Sequence, residues 1–371
     1  MTAAPDYIVP TGEYITEWMH DEGINAAEMS RRLGVSRKHV SELLGGEATL
    51  SQELALALER VTGVPARIWN LHEVGYRNDL ARARGAHDLE VQYARAKDFP
   101  LAYLRRQGLI SAPARDRART VQELLTFLGV ASLQAFDDTW RSGSVAYRRR
   151  AVKRDHAAAL AVWLRLAERS QESFREFPAF DRQGLERLVP ELRTLTLLAP
   201  DAGIAQAIAA LHRVGVVVSI HPAIPGLGIH GVTRWLNKRP LIQLSCLMKT
   251  DDQIWFTLFH ELGHVLLHGE KELYVSGDQG AEEDEANAFA ADVLVPPGHV
   301  SRLPRRRDTV AISRLASELG VAPSIVLGRA QRQTGDFAWG HALKRRVDWT
   351  GVDSGTSINP TNSSESSLCP R

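Results

Sequence analysis

The feature that most constrains the fold of this chain is a pair of histidines within an apolar segment, Thr257–His268. His260 and His264 are four residues apart, which on an α-helix places them one turn apart on the same face. Two neutral imidazoles in this arrangement can bind one zinc ion, which takes four ligands in a tetrahedron. Glu261 projects beside the metal, where a general base can take a proton from zinc-bound water. The segment therefore predicts a buried helix that carries a catalytic zinc site.

An acidic run at the start of the next predicted helix offers a third ligand. Glu285 follows His264 by 21 residues, and the small and apolar residues after it allow the two helices to pack closely. We therefore expect Glu285 to face the metal, with Glu282 and Asp284 as alternatives. Acidic residues in the first turn of a helix are also expected from the helix dipole alone. The combined pattern favours metal binding over two hydrogen-bonded histidines on a polar face.

Strand and helix patterns alternate around this segment, which indicates an α+β unit. A buried strand is predicted at Val216–Ile220, and two paired strands at Ile229–Leu236 and Pro240–Ser245, with Asn237–Arg239 as their turn. Pro296-Pro297 ends the second of the helices that follow. The helices are expected over about residues 252–268, 282–294 and 310–335.

The amino-terminal part of the chain has the pattern of a helix-turn-helix. Apolar residues recur with a helical period, and Gly34 tolerates the positive φ of a tight turn between two short helices. Ser36 is a suitable N-cap for the second helix, whose exposed first turn would meet base edges and phosphates. The alternative is an ordinary helical bundle with a basic surface. The residues predicted to contact DNA are Ser36, Arg37, Lys38 and Ser41.

Composition excludes several other classes of protein. The formal net charge is +1, so any affinity for nucleic acid depends on a local basic patch. The chain has two cysteines and no Cys-x-x-Cys pair, which excludes a thiolate zinc finger. No signal-peptide pattern and no apolar run of membrane-spanning length is present. We therefore expect a cytoplasmic protein without a membrane partner.

These patterns predict a multidomain fold. An all-α helix-turn-helix domain is joined by a helical connector to an α+β zinc peptidase domain, and the end of the chain is polar and aperiodic. The predicted ranges are an arm at 1–11, the helix-turn-helix domain at 12–76, the connector at 77–200, the peptidase domain at 201–335 and a tail at 336–371, disordered from about 354.

The amino-terminal pattern resembles the helix-turn-helix domain of the HigA-type antitoxins, a branch of the Xre/lambda-repressor-like superfamily. The resemblance rests on the turn at Gly34 and on four further segments: Gly12-Glu13-Tyr14-Ile15, Leu44-Gly45-Gly46-Glu47, Ala55-Leu56-Ala57-Leu58-Glu59, and Gly63-Val64-Pro65-Ala66 with Trp69, Glu73 and Tyr76. It implies a homodimer that binds a palindromic operator in double-stranded DNA. Asn25-Ala26 departs from the Thr-Gln or Ser-Gln of many relatives, so a phosphate contact from that Gln is not implied here.

The carboxy-terminal pattern resembles the ImmA/IrrE family of metallopeptidases over residues 203 to about 330. The matching segments are Ile229-His230-Gly231, Thr233-Arg234-Trp235-Leu236, Ile242-Gln243-Leu244-Ser245, Thr250-Asp251-Asp252, Trp255-Phe256-Thr257, the histidine helix, and Glu285-Ala286 with Phe289-Ala290, Asp292, Leu294 and Pro296. The resemblance implies a zincin-like fold of the gluzincin type.

By position in the family pattern, the resemblance assigns roles to individual residues. His260, His264 and Glu285 would hold one Zn²⁺ per chain, and Glu261 would be the catalytic base. His268 either lies behind the ligands and contacts one of them or caps the helix end, while His230 and Tyr274 are candidates for stabilising the oxyanion.

The expected function is a DNA-binding transcriptional regulator with a zinc-dependent endopeptidase domain. Its expected substrate is a specific repressor or antitoxin protein in a stress or toxin–antitoxin response, aligned by strand addition on Pro240–Ser245 as the sheet edge. The first alternative is a non-proteolytic transcription factor or HigA-type antitoxin whose metal domain senses zinc or stress. The others are an antitoxin that acts by protein contact, and a peptidase whose amino-terminal bundle is a docking module.

Overall fold

The computed structural model describes residues 8–142, 156–169, 178–270, 274–275 and 280–349. These residues are mostly helical and include one small β-sheet. Two compact units are present, residues 1–94 with 113–122, and residues 95–112 with 123–371. Within the described residues, no helix is both long enough and apolar enough to cross a bilayer.

The first unit is a bundle of helices with its own apolar core. Its helices include α1 (Thr11–Asp21), α2 (Ala26–Leu33), α3 (Arg37–Leu44), α4 (Gln52–Thr62) and nearly all of α5 (Ala66–Ala96). Asn25, Ser36 and Ser51 accept backbone hydrogen bonds at the starts of α2, α3 and α4. The core contains Ile15, Met29, Val40, Leu58 and Trp69. Helix α5 continues through the predicted domain boundary at residues 76 and 77.

A buried carboxylate links three parts of this unit. Glu73 on α5 accepts a hydrogen bond from the Thr11 hydroxyl at 2.6 Å and from the Leu50 amide at 3.2 Å. The Arg77 guanidinium pairs with the same carboxylate at 2.7 Å. Both oxygens of Glu73 therefore have partners, and the start of α1, the segment before α4 and α5 are held together.

Before the sheet, the described residues also form α6 (Leu101–Arg106), α7 (Arg117–Leu128), α8 (Leu133–Ser142), α9 (Ala157–Arg169) and α10 (Arg182–Thr194). Helix α9 packs on the sheet through Ala167, which contacts Val217 and Leu241. Helix α10 lies in the main core of the second unit through Leu185 and Leu192. The core of this unit therefore includes residues that the sequence assigned to the connector.

The sheet has four strands in the order β1-β3-β2-β4: β1 (Val217–His221), β2 (Gly231–Leu236), β3 (Arg239–Ser245) and β4 (Tyr274–Val275). Strand β3 runs parallel to β1 and antiparallel to β2, which also pairs with β4. Asn237 and Lys238, with φ of 51° and 62°, form the predicted tight turn. The predicted strand pairing is confirmed. The prediction that Pro240–Ser245 forms the sheet edge is wrong, because β3 is paired on both sides.

One face of the sheet packs on a group of helices through Val218, Ile220, Ile242 and Leu244. These helices are α11 (Pro200–Arg213), α12 (Asp251–Gly263), α13 (Ala281–Leu294), α14 (Pro297–Val300), α15 (Thr309–Leu319) and α16 (Pro323–Thr334). Helix α12 continues as a π-helical turn, His264–His268. Helices α15 and α16 contribute to the same core, as expected for part of the peptidase-type fold.

Residues 336–349 pack into the second unit, although the sequence assigned them to the tail. Trp339 and Val347 are buried in its core. The Arg345 guanidinium binds the fully buried carboxylate of Asp251 at 2.7 Å, and the Ser324 hydroxyl donates to that carboxylate at the same distance. This stretch therefore closes the start of α12 against α16. The disorder predicted from about residue 354 lies outside the described residues.

Candidate metal centre

Two histidines on α12 direct their Nε2 atoms to one point. The apolar residues Trp255, Leu258 and Phe259 bury this helix in the core, so His260 and His264 are only 4% and 0% exposed. Their Nε2 atoms are 3.2 Å apart. The two side chains converge as predicted, because residues four apart lie on the same face of an α-helix.

Helix α13 brings a carboxylate to the same point. Glu283 Oε1 lies 3.1 Å from His264 Nε2, and its Oε2 lies 3.3 Å from His260 Nε2. Among the described residues, His260, His264 and Glu283 form a buried group whose ligand atoms all lie within 4.8 Å of one another. Each of the three residues thus offers one atom to a shared ion.

The structure places Glu283, and not the predicted ligand Glu285, beside the two histidines. Positions three and four apart share a helix face, so Glu283 lies on the same face of α13 as Ala286, Asn287 and Ala290. Ala286 and Ala290 are fully buried. Glu285 falls on another face, its side chain is 62% exposed, and it contacts His268 instead. In the sequence, the small residues Ala286 and Ala290 at helical spacing after Glu283 were the signal that could have identified this residue.

Close packing of α12 and α13 makes this geometry possible. A β-carbon at Gly263 would lie 3.1 Å from Ala286 Cα and 3.2 Å from the Phe289 ring. Such contacts are tighter than most proteins contain, so a larger residue at position 263 would move α13 away from α12. The small residues at this crossing therefore set the distance between Glu283 and the two histidines.

The electrostatics of the group suit a cation. Burial alone would raise the pKa of Glu283, but hydrogen bonds with His260 and His264 lower that pKa to about 2. Burial lowers the pKa of His264 and favours its neutral form. For His260, burial acts in the same direction, but its interactions with Glu283 and Glu261 outweigh it and raise the pKa. The centre therefore combines an ionised carboxylate with two imidazoles, of which His264 is held neutral.

Glu261 lies beside this group with one free oxygen. The Thr233 hydroxyl donates to Glu261 Oε2 at 2.6 Å, whereas Oε1 has no hydrogen-bond partner among the described residues. Gly231 on β2 leaves the space for Oε1, because a β-carbon there would collide with it. Glu261 is fully buried, and burial raises its pKa to about 7. Glu261 therefore offers one unpaired, buried acceptor atom beside the three converging side chains.

Each histidine is held by a contact to its other ring nitrogen. His260 Nδ1 lies 3.1 Å from Asn287 Oδ1. His264 Nδ1 lies 3.0 Å from His268 Nδ1, and His268 Nε2 lies 2.9 Å from Glu285 Oε2. His268 therefore lies behind a histidine of the centre, which is one of the two positions that the sequence left open for it.

The two oxyanion candidates lie outside this group of ligands. His230 precedes β2, and its side chain is exposed. The backbone of Tyr274 lies in β4, in register with Thr233, the residue that binds Glu261. Tyr274 is therefore one strand away from Thr233 in the sheet. Their roles in stabilising an oxyanion stay predictions.

A zinc ion fits the residues of this centre. Two imidazole nitrogens and one carboxylate are a common donor set of catalytic zinc sites, which keep the fourth position for water or substrate. The Nε2 atoms of both histidines and both oxygens of Glu283 face the same point, while their outer contacts fix the ring orientations. The centre can thus hold a divalent cation next to a general base.

The residues predicted to contact DNA lie at the start of α3 in the first unit. Ser36 caps this helix by accepting a hydrogen bond from the His39 amide at 3.1 Å. Arg37, Lys38 and Ser41 are exposed, and Lys38 is 3.5 Å from Glu42 in an exposed ion pair. Asn25, at the position where the sequence departs from the HigA-type pattern, caps α2. The first turn of α3 therefore presents its polar side chains to solvent.

Residues 212–331 match the family model Peptidase_M78, the IrrE N-terminal-like domain. The match includes β1 to β3 and the helices that carry His260, Glu261, His264 and Glu283. Comparison of the chain with curated proteins gives no match. The match supports the predicted peptidase domain of the ImmA/IrrE type over these residues, whereas the resemblance to HigA-type antitoxins stays a prediction.

Proposed function

We propose that this protein is a zinc-dependent endopeptidase joined to a DNA-binding unit, and that it cleaves a regulatory protein. The observation that carries the peptidase part is the free Oε1 of the buried Glu261 beside three converging ligands. A site that only senses zinc needs the ligands but has no use for a buried base next to them. The match to an IrrE N-terminal-like domain supports the same chemistry.

The residues of the centre divide the work of amide hydrolysis. His260, His264 and Glu283 would hold a zinc ion, which would supply the Lewis acidity that polarises a carbonyl and makes a water molecule more acidic. Glu261 takes the proton from this water at Oε1, while Thr233 holds Oε2 in place. A C–O bond forms and the C–N bond breaks as Glu261 delivers that proton to the leaving amine.

The substrate chain is expected to approach the sheet from the side of β2 and β4 rather than along β3. Two residues of β2, Gly231 and Thr233, face Glu261. Strand β2 is paired with β3 on one side and with β4 on the other, so β4 is the outer strand on this side of the described sheet. A peptide that adds to β4 by backbone hydrogen bonds would extend the sheet on the side of the proposed general base.

The first unit is proposed to bind double-stranded DNA through the first turn of α3. Arg37 and Lys38 can reach guanine edges and phosphates, and Ser41 lies one turn from Arg37 on the same face. The resemblance to HigA-type antitoxins supports a homodimer on a palindromic operator. A DNA-binding unit in the same chain favours a repressor or antitoxin as the substrate, because its cleavage would change transcription at the bound site.

The metal content of the purified full-length protein tests the peptidase proposal first. We expect about one zinc ion per chain by elemental analysis, and none in a His260→Ala/His264→Ala variant. His230→Ala is the matched control, since His230 is an exposed histidine of the same unit. Folded wild-type protein that holds no zinc after incubation with Zn²⁺ would refute the proposal.

A further inference from the structure

We propose that Glu285 and His268 form a hydrogen-bonded chain that orients His264 for metal binding. This proposal deepens the proposed function and rests on it, since it assigns a role to two residues next to the zinc centre. Glu285 is then a positioning residue and not a ligand. The chain runs from Glu285 Oε2 through both ring nitrogens of His268 to His264 Nδ1.

The π-helical turn after α12 allows this chain to form. His264 and His268 lie four residues apart at the start and end of this turn, with their ring centroids 5.1 Å apart. A π-turn is wider than an α-turn and is frequent at functional sites. The side chain of His268 is only 5% exposed, while that of Glu285 is 62% exposed. The chain therefore begins at a buried ligand and ends at a carboxylate in contact with solvent.

The hydrogen-bonding roles in the chain follow from the metal-facing atom. His264 Nε2 faces the shared point, so a bound cation leaves the proton of the neutral ring on Nδ1. His264 Nδ1–H then donates to His268 Nδ1, which must accept. His268 therefore carries its proton on Nε2 and donates it to the Glu285 carboxylate. Each group has one consistent role, and the whole chain needs no extra proton.

The other histidine of the centre has a different support. His260 Nδ1–H donates to Asn287 Oδ1, which is a neutral acceptor. His264 is linked to an anion instead, and an anionic acceptor raises the basicity of a ligating imidazole more than a neutral one. Removal of the Glu285 charge should therefore weaken the bond of His264 to the metal.

A role for His268 as a simple helix cap explains less of the geometry. A capping histidine would bond the last carbonyl groups of its helix. In this structure the two ring nitrogens of His268 are engaged by two side chains, one on each side. Both partners lie within hydrogen-bonding distance, and one of them belongs to the centre.

Zinc affinity, measured by competition with a chelator, tests whether the hydrogen bonds from Glu285 through His268 support metal binding by His264. We expect the dissociation constant to rise about tenfold for Glu285→Ala and up to about 100-fold for His268→Phe. Glu285→Gln keeps an acceptor oxygen but loses the charge, so its affinity should lie between wild type and Glu285→Ala. Asp284→Ala is the matched control: it removes an equal charge from an exposed neighbour in the same turn of α13 and should leave the affinity close to wild type.

Nitrogen-15 NMR of the histidine rings in the zinc-loaded protein separates this role from a merely structural one. We expect a proton on Nδ1 of His264 and on Nε2 of His268, and loss of the fixed Nε2 proton of His268 in Glu285→Ala. The proposed role of Glu285 and His268 would be overturned by unchanged zinc affinity in both Glu285→Ala and His268→Phe, or by a proton on Nδ1 of His268. Either result would leave the proposed function intact. Wild-type protein that binds no zinc would overturn both.

Discussion

Each of the two units has a buried glutamate on a helix, and the two glutamates differ in their partners. Glu73 in the first unit is 6% exposed, and both of its oxygens bind groups of the protein. Glu261 in the second unit is fully buried, yet its Oε1 has no partner among the described residues. Burial of an unpaired polar group costs free energy. The comparison indicates that Glu73 stabilises the fold, whereas the unpaired Oε1 of Glu261 suits the proposed role of general base.

A second comparison concerns two helix pairs with similar turns. In the first unit, Gly34 with φ of 70° separates α2 from α3; in the second, Gly320 with φ of 67° separates α15 from α16. Arg37 and Lys38 at the start of α3 are exposed, but Ser324 and Val326 at the start of α16 are fully buried. The same local turn therefore precedes a helix start that faces solvent in one unit and a buried helix start in the other.

The largest effect is expected for Glu261→Gln, which removes the base but keeps the shape of the side chain. Loss of a general base lowers a hydrolysis rate by about 10²- to 10⁴-fold. The measurement is the appearance of new protein N-termini after wild type or variant is incubated with a cell extract. Stability should not fall, because the buried charge disappears and Thr233 keeps an acceptor oxygen.

The control for this prediction is Glu282→Gln, on the first turn of α13 and outside the group of ligands. This variant should produce the same N-termini as wild type. Equal cleavage by Glu261→Gln would contradict the comparison of the two glutamates. Absence of any cleavage by a zinc-loaded wild type would favour the alternative in which the metal domain only senses zinc.

The next effect concerns the buried side chain of His221 on β1 in the second unit. Neither ring nitrogen has a partner among the described residues, and burial together with the charge of Arg234 lowers its pKa from 6.5 to about 4. The unfolded chain therefore binds a proton below pH 6.5 that the folded chain does not. The free energy of unfolding should fall by about 3 kcal/mol between pH 6.5 and pH 4.

His221→Leu should remove this pH-dependent loss and leave cleavage unchanged. His221 alternates on β1 with Val218 and Ile220, whose side chains face the core with α12, so it lies on the opposite face of the sheet from the centre. Denaturant unfolding at several pH values measures the difference from wild type, with the exposed His20→Gln as control. Loss of cleavage in His221→Leu would contradict this prediction, because it would show that a buried group on the opposite face of the sheet is also needed for cleavage.

A moderate effect on the first unit is expected for Glu73→Ala. The substitution leaves the Thr11 hydroxyl and the Leu50 amide without their acceptor and Arg77 without its carboxylate. Arg77 keeps its bonds to the Gly46 and Ala48 carbonyls. We expect a loss of about 2–3 kcal/mol in the free energy of opening of this unit.

Hydrogen–deuterium exchange of peptides from α1 to α4 measures this loss in the full-length protein. Exchange there should accelerate by one to two orders of magnitude, on the order of what 2–3 kcal/mol predicts, while peptides of α12 stay protected. Glu17→Gln removes an exposed glutamate of α1 and should leave exchange as in wild type. Wild-type protection in Glu73→Ala would mean that the network contributes no stability.

Local spacing in the sequence was enough to predict that the two histidines of the centre lie together. The position of the third residue depends on long-range packing between two helices. The separation of His260 and His264 fixes their common face on any α-helix. The identity of the third ligand depends on which face α13 turns to α12, and the acidic run from Glu282 to Glu285 offers a carboxylate on every face. The small residues Gly263 and Ala286 decide this, but only once the two helices are known to cross there.

The strand order and the last described residues of the second unit also combine features that local sequence predicts with features that long-range packing determines. The β2–β3 hairpin follows from its two-residue turn, which is local. The central position of β3 depends on parallel pairing with β1, a strand that lies before β2 in the chain. Residues after Thr334 lack periodicity, yet Trp339 is buried in the core. Trp339, Val347 and the ion pair between Arg345 and Asp251 hold this segment in place without any periodic pattern in the surrounding sequence.

The smallest effect is expected for substitutions in α3 that weaken DNA binding. Their measurement tests whether the two helix pairs with similar turns have different functions. Arg37→Ala and Lys38→Ala should each weaken binding to the DNA upstream of the protein's own coding region by about 1–2 kcal/mol, measured by fluorescence anisotropy. Each lost phosphate contact should also reduce the dependence of log K on log salt by about 1. The matched controls are Arg314→Ala and Arg332→Ala, which remove exposed arginines from α15 and α16. If all four variants lose the same affinity, binding follows net charge alone and the exposed turn of α3 has no special role; if only the first two do, the two similar turns have separate functions.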